Sequence, residues 1–157
     1  MRRKSFEDVP CSVAQSLEVV GEWWTLLIVR DLFLGVRRFE QLQERLGISR
    51  NVLTERLERL VEHGVVERRP YQEKPVRHDY VLTEKGRALW PVLTALRQWG
   101  DAWYAPSGPP VELVHLACGE RANAVEVCDS CGEPMDTRSV RAVAGPGASA
   151  TSPLPLR

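Results

Sequence analysis

RRFEQLQERLGISRNVLTERLERLVEHGVVERRPYQEKPVRHDYVL, residues 37–82, holds two short helical patterns and a basic hairpin in direct succession. The first pattern runs from about Arg38 to Leu46, with Phe39, Leu42 and Leu46 at helical spacing, and Gly47 ends it. Ile48 turns the chain. Ser49 then stands where a helix N-cap belongs, its hydroxyl placed to accept from a free amide of the next turn, near Val52. In the helix that Ser49 opens, Leu53, Leu57, Leu60 and Val61 share one stripe, which predicts burial on that side. Asn51, Glu55, Glu58, Arg59 and Glu62 face outward, and Gly64 supplies the stop. The connection Leu46-Gly47-Ile48-Ser49 is as short as a helix-turn-helix needs to present the amino end of its second helix.

After Gly64, residues 65–71 read as a strand, and His78-Asp79-Tyr80-Val81-Leu82 alternates polar with apolar as a half-buried strand does. Between them lies Gln72-Glu73-Lys74-Pro75-Val76-Arg77, a charged hairpin tip. The predicted fold is mainly α with a small β wing, a winged helix-turn-helix that reads double-stranded DNA. The amino end of the Ser49 helix enters the major groove and the wing, residues 65–82, lies on flanking DNA. Arg50 offers a two-donor fork to guanine and Asn51 pairs with adenine. Thr54 and Glu55 sit one turn later, within reach of a methyl group or a cytosine amino group. Arg38, Arg56, Arg59, Lys74 and Arg77 suit phosphates. For Arg59, ion pairing with Glu55 or Glu62 along the helix is an equal alternative. The basic residues of the hairpin have a second reading as a solvated edge that discourages aggregation.

Charge qualifies this reading without removing it. The chain has 21 Lys and Arg against 21 Asp and Glu and an isoelectric point of about 6.8, where many nucleic-acid binders are basic overall. From Arg37 to Arg77, however, ten basic residues face seven acidic ones. That local excess, doubled in a dimer, predicts modest non-specific affinity and a strong salt dependence.

Five separated motifs resemble the HxlR family of bacterial transcription regulators, relatives of the MarR group. They are Cys11-Ser12-Val13-Ala14, Gly21-Glu22-Trp23-Trp24-Thr25-Leu26-Leu27-Ile28-Val29-Arg30-Asp31-Leu32, Arg37-Arg38-Phe39, Leu53-Thr54-Glu55-Arg56-Leu57 and Tyr80-Val81-Leu82-Thr83-Glu84-Lys85-Gly86. The resemblance covers roughly residues 9 to 104 in one order, with Ser12 where the family commonly carries proline. It implies a cytoplasmic homodimer that acts near its own operator, as a repressor in the reading preferred here, with a small-molecule or electrophile effector. It also implies that Cys11 is a redox-sensing candidate. The other reading of Cys11 is a small buried residue at the dimer interface.

Flanking segments read as scaffold. A helix from about Trp23 to Leu34 is apolar nearly all round, which predicts a central buried helix with its tryptophans in the core. Thr83 caps a final helix carrying Leu89, Val92, Leu93, Leu96, Trp99 and Trp103, which Pro91 should kink. That stripe, with the helix around Val13 to Val20, is longer than a small winged domain can cover, so a symmetric partner is expected. The apolar run near Trp23 is interrupted by Arg30 and Asp31, so neither a membrane span nor a signal peptide is predicted.

The expected division is a DNA-binding and dimerisation domain at 1–104, a linker at 105–110, a small β-hairpin appendage at 111–143 and a disordered tail at 144–157. Within the appendage, Cys128-Asp129-Ser130-Cys131-Gly132 has the pattern of a zinc knuckle, and His115 and Cys118 repeat its spacing with an imidazole. His115, Cys118, Cys128 and Cys131 could enclose a structural Zn²⁺ if the hairpin brings both pairs together; a reduced lid without metal and an iron site are the other readings. Some members of the resembled family carry a similar tail. No phosphate-binding loop or nucleophile elbow is present, and His63, His78 and His115 lack evident catalytic partners, so no enzyme is predicted. A rubredoxin-like electron-transfer protein and a protein-interaction module are the alternatives from other classes.

Overall fold

The computed structural model describes residues 5–148. Its elements in chain order are α1 (Ser12–Val20), α2 (Thr25–Phe33), α3 (Phe39–Leu46), α4 (Arg50–Glu62), β1 (Val66–Glu73), β2 (Val76–Leu82), α5 (Glu84–Arg87) and α6 (Trp90–Tyr104). They fall into two compact units, residues 5–89 with 145–148, and residues 90–144. No helix of the described residues is long and apolar enough to cross a membrane.

In the first unit, burial follows the helical stripes. Leu53, Leu57 and Leu60 of α4 are fully buried with Leu42 of α3 and Ile28 and Val29 of α2, while Val65, Val66 and Leu82 carry the same core to the base of the hairpin. Gly47 closes α3 in the left-handed region, with φ of 64°, which a side chain would resist and which turns the chain directly into α4. Asp31 is buried completely. It is held by Arg30 (Nε to Oδ1, 2.9 Å) and Arg45 (Nε to Oδ2, 3.3 Å), so a charged clasp ties α2 to α3. A carboxylate taken out of water in this way persists only because both guanidinium groups meet it.

β1 and β2 pair antiparallel from Val66 with Leu82 to Glu73 with Val76, with a register shift between Pro70 and Gln72. The wing is therefore longer and its tip tighter than the sequence suggests, with only Lys74 and Pro75 left to turn. The strands absorb Gln72 and Arg77, which pair across the hairpin despite the register shift beside Tyr71.

Three local expectations need correction. Trp23 is 91 % exposed and lies in the turn before α2, so the helical periodicity that assigned it to the core does not apply to it. The final helix is broken, but ahead of Pro91: α5 ends at Arg87 and α6 begins at Trp90, leaving Pro91 in a first turn, where its missing N–H costs nothing. The compact units divide at Leu89, which groups α6 with the segment beyond it rather than with the winged domain.

In the second unit, α6 is followed by a segment without a regular strand. Residues 111–143 contain no buried residue, and only Leu113 and Cys128 are even half-buried. The middle of the segment is pinned to α6: Arg97 donates to Asn123 Oδ1 at 2.8 Å, and Gln98 bonds Ala124 in both directions, at 3.0 and 3.1 Å. Residues 144–148 have no helix or strand, and the remainder of the expected disordered tail, 149–157, lies outside the described residues.

Candidate nucleic-acid interface

The amino end of α4 is open. Ser49 is its N-cap, and the hydroxyl accepts from the Val52 amide at 3.3 Å, the bond expected from the sequence. Ser49, Arg50 and Asn51 are all exposed. The Arg50 guanidinium rests over the Phe39 ring, 4.9 Å from its centroid. An exposed contact of this kind is worth about 0.5–1 kcal/mol, less than the about 1–3 kcal/mol of a bidentate arginine–guanine pair. Phe39 therefore parks Arg50 beside the amino end of α4 by less than such a pair would gain. Thr54 is half-buried one turn on, and exposed Glu55 is engaged by Arg56 Nη1 at 3.0 Å.

The cations predicted to meet phosphates separate into two groups. Lys74 at the wing tip and Arg77 on β2 are exposed and make no ion pair among the described residues. Arg38, Arg56 and Arg59 are struts instead. Arg38, the N-cap of α3, lies over the Tyr71 ring at 4.6 Å, and its Nε is 3.8 Å from Asp79 Oδ1, tying α3 to both strands of the wing. The Arg56 side chain is 16 % exposed, with Nη2 3.3 Å from Glu22 and Nη1 on Glu55. Arg59 donates to the Glu18 carbonyl at 2.8 Å and lies 4.0 Å from its carboxylate, so its partner is neither Glu55 nor Glu62. These pairings tie α4 to the end of α1 and the turn after it, and the Arg56 side chain is largely covered by them.

Of the ten basic residues between Arg37 and Arg77, six are ion-paired within the described structure: Arg38, Arg45, Arg56, Arg59, Arg68 with Glu58, and Arg69 with Glu67. Arg37, Arg50, Lys74 and Arg77 are exposed and unpaired among the described residues. Sequence reasoning did not assign Arg37 to the site. The available signal was its place before the α3 N-cap, where its carbonyl accepts from Tyr80 N at 2.8 Å and anchors the segment beside the wing. Among the described residues, the basic side chains of this stretch that lack an ion pair thus stand at the open end of α4 and around the wing.

Cys11 is the N-cap of α1, half-buried, with a free thiol that makes no capping hydrogen bond. The four expected metal donors form two pairs rather than one cluster. His115 Nδ1 is 3.3 Å from Cys118 Sγ, and the amides of Ser130 and Cys131, bonding to the Cys128 sulfur, lower the Cys128 pKa. Among the described residues no three His, Cys, Asp or Glu side chains lie close enough together to hold a metal ion. The single hairpin expected to gather them is replaced by two separate tight turns, each closed by its own backbone bonds.

A family model described as HxlR-like helix-turn-helix matches residues 19–108. An HTH-type transcriptional regulator of Mycobacterium tuberculosis is 50% identical over 137 residues, 87% of each chain. Among solved structures, PA1607, described as a candidate transcription factor, superposes with a TM-score of 0.80 at 39% identity, covering 90% of this chain and 100% of that one. The reduced form of the regulator YodB from Bacillus subtilis gives 0.52 at 37% identity over 61% of this chain and 96% of its own.

Proposed function

Since the chain belongs to the HxlR-like helix-turn-helix family and is a DNA-binding transcriptional regulator rather than an enzyme, we propose that it reads a two-fold symmetric operator as a homodimer. The observation that carries this reading is the distribution of unpaired cations: Arg50 with Asn51 at the exposed amino end of α4, and Arg37, Lys74 and Arg77 around the wing. Arg50 and Asn51 read base edges in the major groove. Arg37, Lys74 and Arg77 take phosphates, which fix register without reading sequence.

Uncovered apolar surface supports the dimer. Val13 and Leu17 of α1 are 68 % and 42 % exposed, and α6 presents Leu96, Trp99 and Trp103 at 48 %, 54 % and 73 %. Apolar helix faces of this kind are what an isologous two-fold contact buries. Repression is the simplest output, because a bound winged dimer occludes an operator with no further contact, and the site of action is the cytoplasm, where the DNA is. An oxidant or electrophile would act through Cys11, at the start of α1. The similar YodB has been solved both reduced and after diamide treatment. Light scattering at micromolar concentration tests the assembly, with twice the chain mass expected and a monomer mass contradicting it. Gel-shift titration on a fragment enriched from a random pool tests the reading of DNA.

A further inference from the structure

Residues 113–122 and 126–135 are the same structure built twice, 13 positions apart. The Ala122 amide donates to the Leu113 carbonyl at 3.0 Å, and Met135 donates to Glu126 at 3.0 Å. His115 N donates to Glu120 O at 2.9 Å, and Cys128 N to Glu133 O at 2.8 Å. Gly119 and Gly132 each bond back to the first donor residue at 2.8 Å, with φ of 76° and 75°, conformations that require glycine. Isolated bridges join Val114 to Arg121 and Val127 to Pro134. The shared sequence is Val, then His or Cys, two residues, then Cys-Gly-Glu. The side chains that differ in kind at the first donor position, His115 and Cys128, are both metal-ligand types.

We propose that a single Zn²⁺ joins the two turns, with His115, Cys118, Cys128 and Cys131 as its ligands. Each turn presents one bidentate pair. A tetrahedral ion at about 2.3 Å from sulfur and about 2.0 Å from nitrogen sets an S···N edge of roughly 3.5 Å, and His115 Nδ1 and Cys118 Sγ stand 3.3 Å apart. One pair supplies half of a structural zinc shell, so two pairs complete one site and two separate ions would each lack two ligands. The need for an ion comes from the burial record: residues 111–143 have no core, and Leu116 is 94 % exposed. A segment this small and this open requires a cross-link to hold two turns in one arrangement. In the structure the pairs are formed but not gathered. Metal binding closes that gap by moving the turns about their joint at Asn123 and Ala124, which Arg97 and Gln98 hold on α6. Three sulfurs and one imidazole suit zinc, and with all four positions filled by protein the ion is structural.

Elemental analysis of the full chain, purified without chelator or affinity-tag metal, should find about one equivalent of zinc. Substitution with Co²⁺ should give the intense visible bands of a tetrahedral thiolate site. Cys118→Ser and Cys128→Ser, one from each turn, should each drop the zinc below roughly a tenth of an equivalent, and His115→Cys should keep it. Far-ultraviolet circular dichroism should show that each variant retains its helices. Less than about half an equivalent in the unmodified chain, iron in place of zinc, or zinc retained by Cys118→Ser would overturn the shared site.

Discussion

Replacing Lys74 with alanine removes a cation from the tip of the wing, where it is exposed and unpaired, and the effect on DNA binding can be worked from the charge map. On the proposed reading, Arg37, Lys74 and Arg77 would give three phosphate contacts per protomer and hence six in a dimer. At about 0.9 released counterions per contact, the slope of log K against log salt is about −5. Lys74→Ala deletes two contacts per dimer, which brings the slope to about −3.6. Between 50 and 200 mM salt, affinity should then fall by roughly a hundredfold for the variant against roughly a thousandfold for the unmodified protein. Arg56→Ala is the informative control. It removes the same formal charge, but its guanidinium sits between Glu22 at 3.3 Å and Glu55 at 3.0 Å, so the slope should stay within experimental error of −5 while stability drops. Fluorescence anisotropy on a labelled operator across that salt range measures both. An Arg56→Ala slope lowered as much as that of Lys74→Ala would refute the separation of struts from contacts.

Other substitutions probe the scaffold that aims α4. Ser49→Ala loses the 3.3 Å bond to Val52 and should cost about 1 kcal/mol in urea unfolding; an unchanged midpoint would deny the cap its role. At Gly86 a Cβ would run into the Val65 carbonyl and reach 3.0 Å from Leu82 Cδ2. Gly86→Ala should therefore destabilise by about 1–3 kcal/mol, read from the same unfolding curves, and a neutral result would mean that α5 is free to shift. Leu57→Ala empties a fully buried position of α4 and should cost about 2–5 kcal/mol. A cost below about 1 kcal/mol would show that the site collapses around the smaller side chain.

What could be read from sequence was local. Gly47 and Ser49 announce the turn and cap because their conformational roles depend on neighbours within a few residues, and the leucine stripe of α4 is set by helical period alone. The fate of the arginines was not legible. Arg59 meets Glu18 across 41 residues, and Arg38 and Arg56 find Asp79 on β2 and Glu22 in the turn before α2. An outward-facing arginine looks the same in sequence whether its partner is a phosphate or a carboxylate folded back from elsewhere. Trp23 misled for a related reason: two residues before α2 begins, its side chain obeys the turn and not the helix. In the tail, ligand types and spacing were visible, whereas the repeat of backbone bonds 13 residues apart emerged only from the fold.

The amino end of α4 as the reader of base sequence is tested most directly by selecting DNA from a random pool with the unmodified protein and with Arg50→Ala. A two-fold related motif is expected in which one base position per half-site, a guanine, loses its preference in Arg50→Ala, at about 1–3 kcal/mol, while the remaining positions are retained. Identical motifs from the two proteins would contradict it.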